Sequence, residues 1–291
     1  MSEHTFDTPG PLDVYVELGA GSLTLAASDT TTTTIALTGA GADDTTVELD
    51  GGDLRVLAPK SSGFLGRNRE VHARLGVPAG SRLAARCGSA SVSATGPLAR
   101  TGIDTGSGDI TVAETGVDSL LGAGSGDVTV AHASGRLEVA VGSGDVRVDA
   151  AAAELLVKTG SGDVRVGEVA GDLVVRTGSG DADLGVVAGA SKVRTGSGTL
   201  RLRRAGGDVE FASGSGDAVV EHLPQGALTA RTASGDVRCD VPSGTPVWTD
   251  VSTVSGRIDN QLEQLGAPAE GQPHVEVRAT TVSGGVVLRH V

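Results

Sequence analysis

The sequence predicts an all-β fold: a parallel β-solenoid of 18-residue coils with two strands per coil and irregular ends. Three observations carry that prediction. The first is a strict repeat. The stretches TGSGDITV (105–112), AGSGDVTV (123–130), VGSGDVRV (141–148), TGSGDVRV (159–166) and TGSGDADL (177–184) set Asp109, Asp127, Asp145, Asp163 and Asp181 eighteen residues apart. Units this short and this alike cannot bury a core alone and stack on their neighbours. The second is alternation: after each Asp, apolar and polar residues alternate with the period of a half-buried strand, and another such run follows about nine residues on. The third is composition. Gly makes up 45 of 291 residues, and the only aromatics are Phe6, Tyr15, Phe64, Phe211 and Trp248. A narrow interior of Val, Leu, Ile and Ala needs few large rings, and the abundant Gly is expected at tight turns that require positive φ.

Taken in order, residues 1–11 read as a loose lead-in, with Pro9 and Pro11 breaking structure. LDVYVEL (12–18) alternates as a strand, GAGSLTLAAS (19–28) is a degenerate early copy of the turn and strand, and TTTTIALTG (31–39) is β-branched and strand-like. TTVELDGGDLRVLAP (45–59) reads as two strands about an Asp-Gly-Gly-Asp turn. SSGFLGRNRE (61–70) reads as a loop, and VHARLGVPAGSRLAAR (71–86) as strands about a turn at 77–80. The regular array occupies 87–240, after irregular coils or a cap over 1–86, within one solenoid domain covering 1–291.

In the array, Leu137, Leu155, Leu173, Ser191, Val209 and Leu228 share one inward position, and Val139, Val157, Val175, Val193, Phe211 and Ala230 share the next. The first strand supplies the matching pairs from Ile110 and Val112 to Leu200 and Leu202. At a strand spacing of about 4.8 Å, the roughly ten coils after residue 88 make a rod of about 50 Å. β-Crossover chirality favours a right-handed coil. TVSGRIDN (253–260) and TVSGGVVL (281–288) are late copies in a degenerate segment, 241–291, with an inserted loop at 261–273.

The net charge of −13 argues against nucleic acid and anionic membranes as general partners. The N-terminus lacks the pattern of a signal peptide and no apolar run is long enough to span a bilayer, so membrane insertion is not expected and a cytoplasmic location is. Cys87 and Cys239 stand far apart, in no metal-binding spacing, and read as free thiols.

Repeated G-S-G-D-V-x-V, the entry LDVYVELGAGSLTL, the segment VHARLGVPAGSRLAAR and the closing TVSGGVVLRH resemble a bacterial family of β-strand-repeat proteins of unknown function, commonly labelled adhesin candidates. The resemblance covers nearly the whole chain. It implies a β-solenoid and supplies no catalytic residues.

Two periodic features are candidate sites. Asp109, Asp127, Asp145, Asp163 and Asp181 form a ladder at coil spacing, which suits either a row of calcium ions or carboxylates accepting from turn N–H groups. Arg147, Arg165 and Arg238, each two residues beyond an Asp, can neutralise that ladder from the same strand face. Lys158, Arg176 and Arg194, with Arg231 further along, stack on the outer face of the second strand. Such a stripe either pairs with acids of adjacent coils or holds a polyanionic ligand or protein partner. The Gly-rich turns open strands rather than helices, which excludes a phosphate loop of the usual kind. The six histidines form no H-x-H or H-E-x-x-H pair, and there is no G-x-S-x-G elbow.

The expected function is therefore a non-catalytic structural or interaction scaffold presenting repetitive faces to a partner, with self-association as a sharper form and no cofactor. An exported adhesin-like surface protein, a calcium-stabilised β-roll and a solenoid enzyme are the alternatives.

Overall fold

A computed structural model describes residues 1–59, 69–263, 265–266 and 268–291. The loop expected at 61–70 thus lies outside the described residues but for its last two, as do positions 264 and 267 of the inserted loop. The fold is all-β and built of long parallel sheets. Among the described residues the only helical segment is one 3-10 turn, Ala42–Asp44. The chain divides into two compact units, Met1–Val146 and Arg147–Val291.

In the first unit, one sheet runs in the order Ser2–Asp7, Thr32–Thr38, Glu70–Pro78, Ala20–Ser28, Ser91–Thr95, Ile110–Thr115, Val128–Ala133. The other runs Thr46–Asp50, Asp53–Leu57, Asp13–Leu18, Arg82–Cys87, Arg100–Thr105, Ser119–Ala123, Leu137–Val141. From Arg82 onward neighbouring strands are parallel and in 18-residue register: Ile103 pairs with Ala85 and Leu121, and Val112 with Ala94 and Val130. Each coil is therefore a strand in one sheet, a corner, and a strand in the other.

The N-terminal end differs from the array. Ser2–Asp7 pairs antiparallel with Thr32–Thr38, which pairs antiparallel with Glu70–Pro78, while Thr46–Asp50 and Asp53–Leu57 form a hairpin. Residues 2–7 are thus an edge strand, not a loose lead-in. SEHTFD alternates in burial, with His4 and Phe6 stacked 6.3 Å apart on one side, and the two prolines fall after the strand has ended. Antiparallel strands at this end close the parallel ladder without another 18-residue coil.

In the second unit, one sheet follows the order Val164–Val169, Ala182–Val187, Leu200–Ala205, Ala218–Val220, Val237–Val241, Val286–His290, Ile258–Gln261. The other follows Leu155–Thr159, Leu173–Ser179, Ser191–Ser197, Val209–Ser215, Gly226–Ser234, Val275–Ser283, Val247–Thr253. The last two coils are out of sequence order. Residues 275–290 lie between the coil of 226–241 and the coil of 247–261, pairing Leu228 with Val277 on one side and Val277 with Thr249 on the other. The late copies recognised in the sequence are real coils, but their succession in space is exchanged.

The inward residues read from the repeat are the core. Leu137, Leu155, Leu173 and Leu228 are wholly buried, as are Val139, Val157, Val175, Val193, Phe211 and Ala230. Cys87 and Cys239 are free and buried. Burial pushes the Cys87 thiol up to about 11 and the Cys239 thiol up to about 12, with the neighbouring Asp240 carboxylate adding to the latter.

Candidate binding face

The T-G-S-G-D motif resolves into separate physical tasks. Thr105 faces inward, and its Oγ1 accepts the N–H of Gly108 at 3.0 Å, closing the corner. The two glycines are set by packing between coils. A Cβ on Gly108 would stand 2.0 Å from the carbonyl oxygen of Ala90, and one on Gly126 2.1 Å from that of Gly108. Gly106 meets the Gly88 oxygen in the same way at 2.6 Å. None of these three has positive φ. Gly96, Gly180 and Gly226 in the array do have the positive φ expected of turns, whereas Gly106, Gly108 and Gly126 are fixed by contact alone. Each leaves room for the carbonyl of the coil before it, which a side chain at coil spacing would strike.

The Asp closes the motif with an inter-coil hydrogen bond. The Asp109 carboxylate accepts the N–H of Asp127 at 3.0 Å, and that of Asp127 accepts the N–H of Asp145 at 2.9 Å. In the second unit Asp163 accepts from Asp181 at 3.0 Å and Asp181 from Thr199 at 2.8 Å. Asp217 then takes the N–H of Asp236 at 2.7 Å, and Asp236 that of Gly285 at 2.6 Å. A second ladder, not anticipated, sits at other corners: Asp172 accepts from Ala190 at 2.8 Å and Asp208 from Ala227 at 2.9 Å. Its signal in the sequence is the G-D preceding the second strand of two coils, at 171–172 and 207–208. Among the described residues, no group of three or more His, Cys, Asp or Glu side chains is arranged to hold a metal ion.

The arginines beside the ladder divide their attention. Arg165 pairs with Asp163 at 3.0 Å, whereas Arg147 bonds Asp149 at 2.8 Å and Arg238 turns to Asp240. Asp240 is 3% exposed because two guanidiniums cover it. Arg238 donates to it at 3.1 and 2.7 Å and Arg289 at 2.8 and 3.1 Å, each in a two-point clasp. This cluster escaped sequence reading because Arg289 comes from the coil placed out of order.

The cationic stripe stands in register. On adjacent parallel strands Lys158 faces Arg176 and Arg176 faces Arg194; Ala212 follows, then Arg231. Arg194 donates to Glu210 at 3.1 Å, and Lys192, one column over, pairs with the same carboxylate. Those two donors hold the Glu210 carboxyl below its usual range. Arg176 and Arg231 make no ion pair among the described residues. Trp248 lies on the same outer face, on the edge strand, 53% exposed. The guanidinium of Arg278 stacks on it at 5.4 Å and is itself held by Glu276 at 2.8 Å.

On the first unit, the corresponding sheet face bears an open trough of about 780 Å³, floored by Ala84 and Gly102 and bordered by Tyr15 and Leu120. Its charged rim includes the pair Arg82–Asp13 at 2.9 Å.

Register-locked coils whose chemistry faces outward in columns define a repeat protein of the solenoid class. The chain belongs to the Toastrack family (DUF4097), whose profile matches residues 12–187 and 134–289. No curated protein matches the sequence. Among solved structures, similarity extends to a lipid-binding candidate from Parabacteroides distasonis, with 12% identity, TM-score 0.39 and coverage of 98% of this chain and 96% of the other. An adhesin candidate from the same species has 13% identity, TM-score 0.38 and coverage of 100% and 96%. A further adhesin candidate, from Bacteroides fragilis, has 13% identity, TM-score 0.32 and coverage of 99% and 96%. Among the described residues, no helix is long and apolar enough to cross a membrane.

Proposed function

We propose that this protein is a non-catalytic interaction scaffold, which docks a partner on the outer face of the second unit that carries Lys158, Arg176, Arg194 and Arg231. The observation that carries the reading is the register of that stripe. Lys158, Arg176 and Arg194 are held about 4.8 Å apart by backbone pairing; Glu210 offsets Arg194, but Arg176 and Arg231 make no ion pair among the described residues, which leaves positive charge on this face for an anionic partner to offset. Catalysis calls for a unique convergence of groups, whereas these side chains recur coil by coil.

The test is retention of a partner from whole-cell and envelope fractions on the immobilised full chain, beside the double variant Arg176→Glu, Arg194→Glu. A partner held by the wild type and lost by the variant is expected. Equal retention by both moves docking away from the stripe, and retention by neither overturns the scaffold reading. Sedimentation velocity over a concentration series adds the case in which the partner is a second copy.

A further inference from the structure

We infer that the basic face of the second unit binds a linear acidic polysaccharide of the polyuronate kind, lying across the strands from Lys158 towards Trp248. The inference rests on the scaffold reading above and names its ligand class. Two independent observations point the same way.

The first is charge. The chain carries a net charge of −13, yet this one face gathers Lys158, Arg176, Lys192, Arg194 and Arg231. Glu210 is engaged by Lys192 and Arg194, while Arg176 and Arg231 remain without an ion pair among the described residues. The cations are spaced by the distance between strands, about 4.8 Å. A polyuronate carries one carboxylate on every ring and advances by roughly one ring per strand. Its carboxylates can therefore meet Lys158, Arg176 and Arg194 on successive strands and, past the gap at Ala212, Arg231.

The second is the lone tryptophan. The sequence holds a single Trp, and it stands exposed on this same face. It lies two strands beyond Arg231 in the sheet order. Arg278, tied down by Glu276, fixes the indole from one side. The stripe's own column reaches the edge strand at Ser252, so Trp248 stands four residues to one side of it, past Arg278, and the chain would cross the face on a diagonal. A flat, pre-ordered ring there is a platform for the C–H face of a pyranose, with a small entropic cost on binding. Single-stranded nucleic acid fits less well, because it uses a series of aromatic platforms, one for each of several bases. Trp248 is the only exposed aromatic on this face among the described residues.

The experiment is binding of the full chain to polygalacturonate, with dextran as the neutral polymer and oligo(dT) as the nucleic acid, at low and high salt. Polygalacturonate is expected to bind, dextran not to, and salt to weaken binding. The pair Arg176→Glu, Arg231→Glu should weaken it at least tenfold and Trp248→Ala at least fivefold. Arg201→Glu, on the other sheet, should leave it unchanged. If the glutamate pair fails to fold, Arg176→Gln with Arg231→Gln must still weaken binding at least threefold. The assignment is overturned if polygalacturonate does not bind, if neither the stripe nor the Trp248 variant weakens it, or if oligo(dT) binds more tightly. Failure here, with a cellular partner still lost on Arg176→Glu, Arg194→Glu, removes the polysaccharide and leaves the scaffold standing.

Discussion

Single residues carry the repeat in ways that differ from their usual roles. Gly126 faces the Gly108 carbonyl, so Gly126→Ala forces two coils apart and breaks ladder hydrogen bonds. A loss of about 2–4 kcal/mol is expected, more than ordinary overpacking because backbone cannot rotate away. Gly52, in the hairpin turn, has nothing within 4 Å of the point where a methyl would stand, and Gly52→Ala should shift the urea midpoint far less. Asp240 tests charge in the same way. Asp240→Asn keeps the shape but leaves Arg238 and Arg289 facing each other without their shared anion. The guanidiniums are 39% exposed, which softens the penalty of a buried pair to about 1–3 kcal/mol, read from the same denaturation curves. The Asp ladder leads to a third expectation. Carboxylate oxygens along it accept backbone N–H groups of the next coil, so millimolar calcium should leave both the circular dichroism and the melting temperature unchanged. A calcium-dependent gain of structure, reversed by chelator, would contradict this.

At the scale of elements, the array was legible and the ends were not. Strict recurrence fixes which side chains point inward, because an 18-residue period leaves one register in which Leu155, Leu173 and Ser191 stack beside Val157, Val175 and Val193. The cationic stripe was legible for the same reason: Lys158, Arg176 and Arg194 occupy equivalent positions, and equivalent positions become neighbours. Ends have no such periodicity. The edge strand Ser2–Asp7 pairs with a segment some thirty residues away in an antiparallel sense that no local pattern announces. The exchange of the last two coils was equally hidden, because TVSGRIDN and TVSGGVVL are alike enough to stack in either order. That exchange is open to proteolysis. Glu263 and Glu270 are exposed between the two coils, and a glutamate-specific protease should nick there. Because strands Val275–Ser283 and Val286–His290 are paired on both sides, the nicked fragments should co-elute in gel filtration. Separation of the fragments without denaturant would contradict the observed order.

For the molecule as a whole, pH acts through few groups. Glu210 has its folded pKa lowered, so its small, solvent-screened contribution is present above the ordinary carboxylate range and is lost as pH falls through that lowered value. The thiols act at the other extreme. Cys239 is raised from 9.0 to about 12, so unfolding releases a proton once pH passes 9, and stability falls as pH rises from there towards 12. The urea midpoint under reducing conditions should decline over that window, and Cys239→Val should flatten the decline. The exchanged coils also bear on how the protein is made. A ribosome delivers residues 247–261 before residues 275–290, yet the earlier segment rests on the later one. As it emerges, 247–261 meets the exposed edge of 226–241, a surface built for a different coil. Vectorial synthesis can add each coil from residue 82 to residue 241 in turn, but this end has to wait for the late segment. Like Thr32–Thr38, which waits for Glu70–Pro78 at the other end of the chain, it is open to wrong stacking during translation.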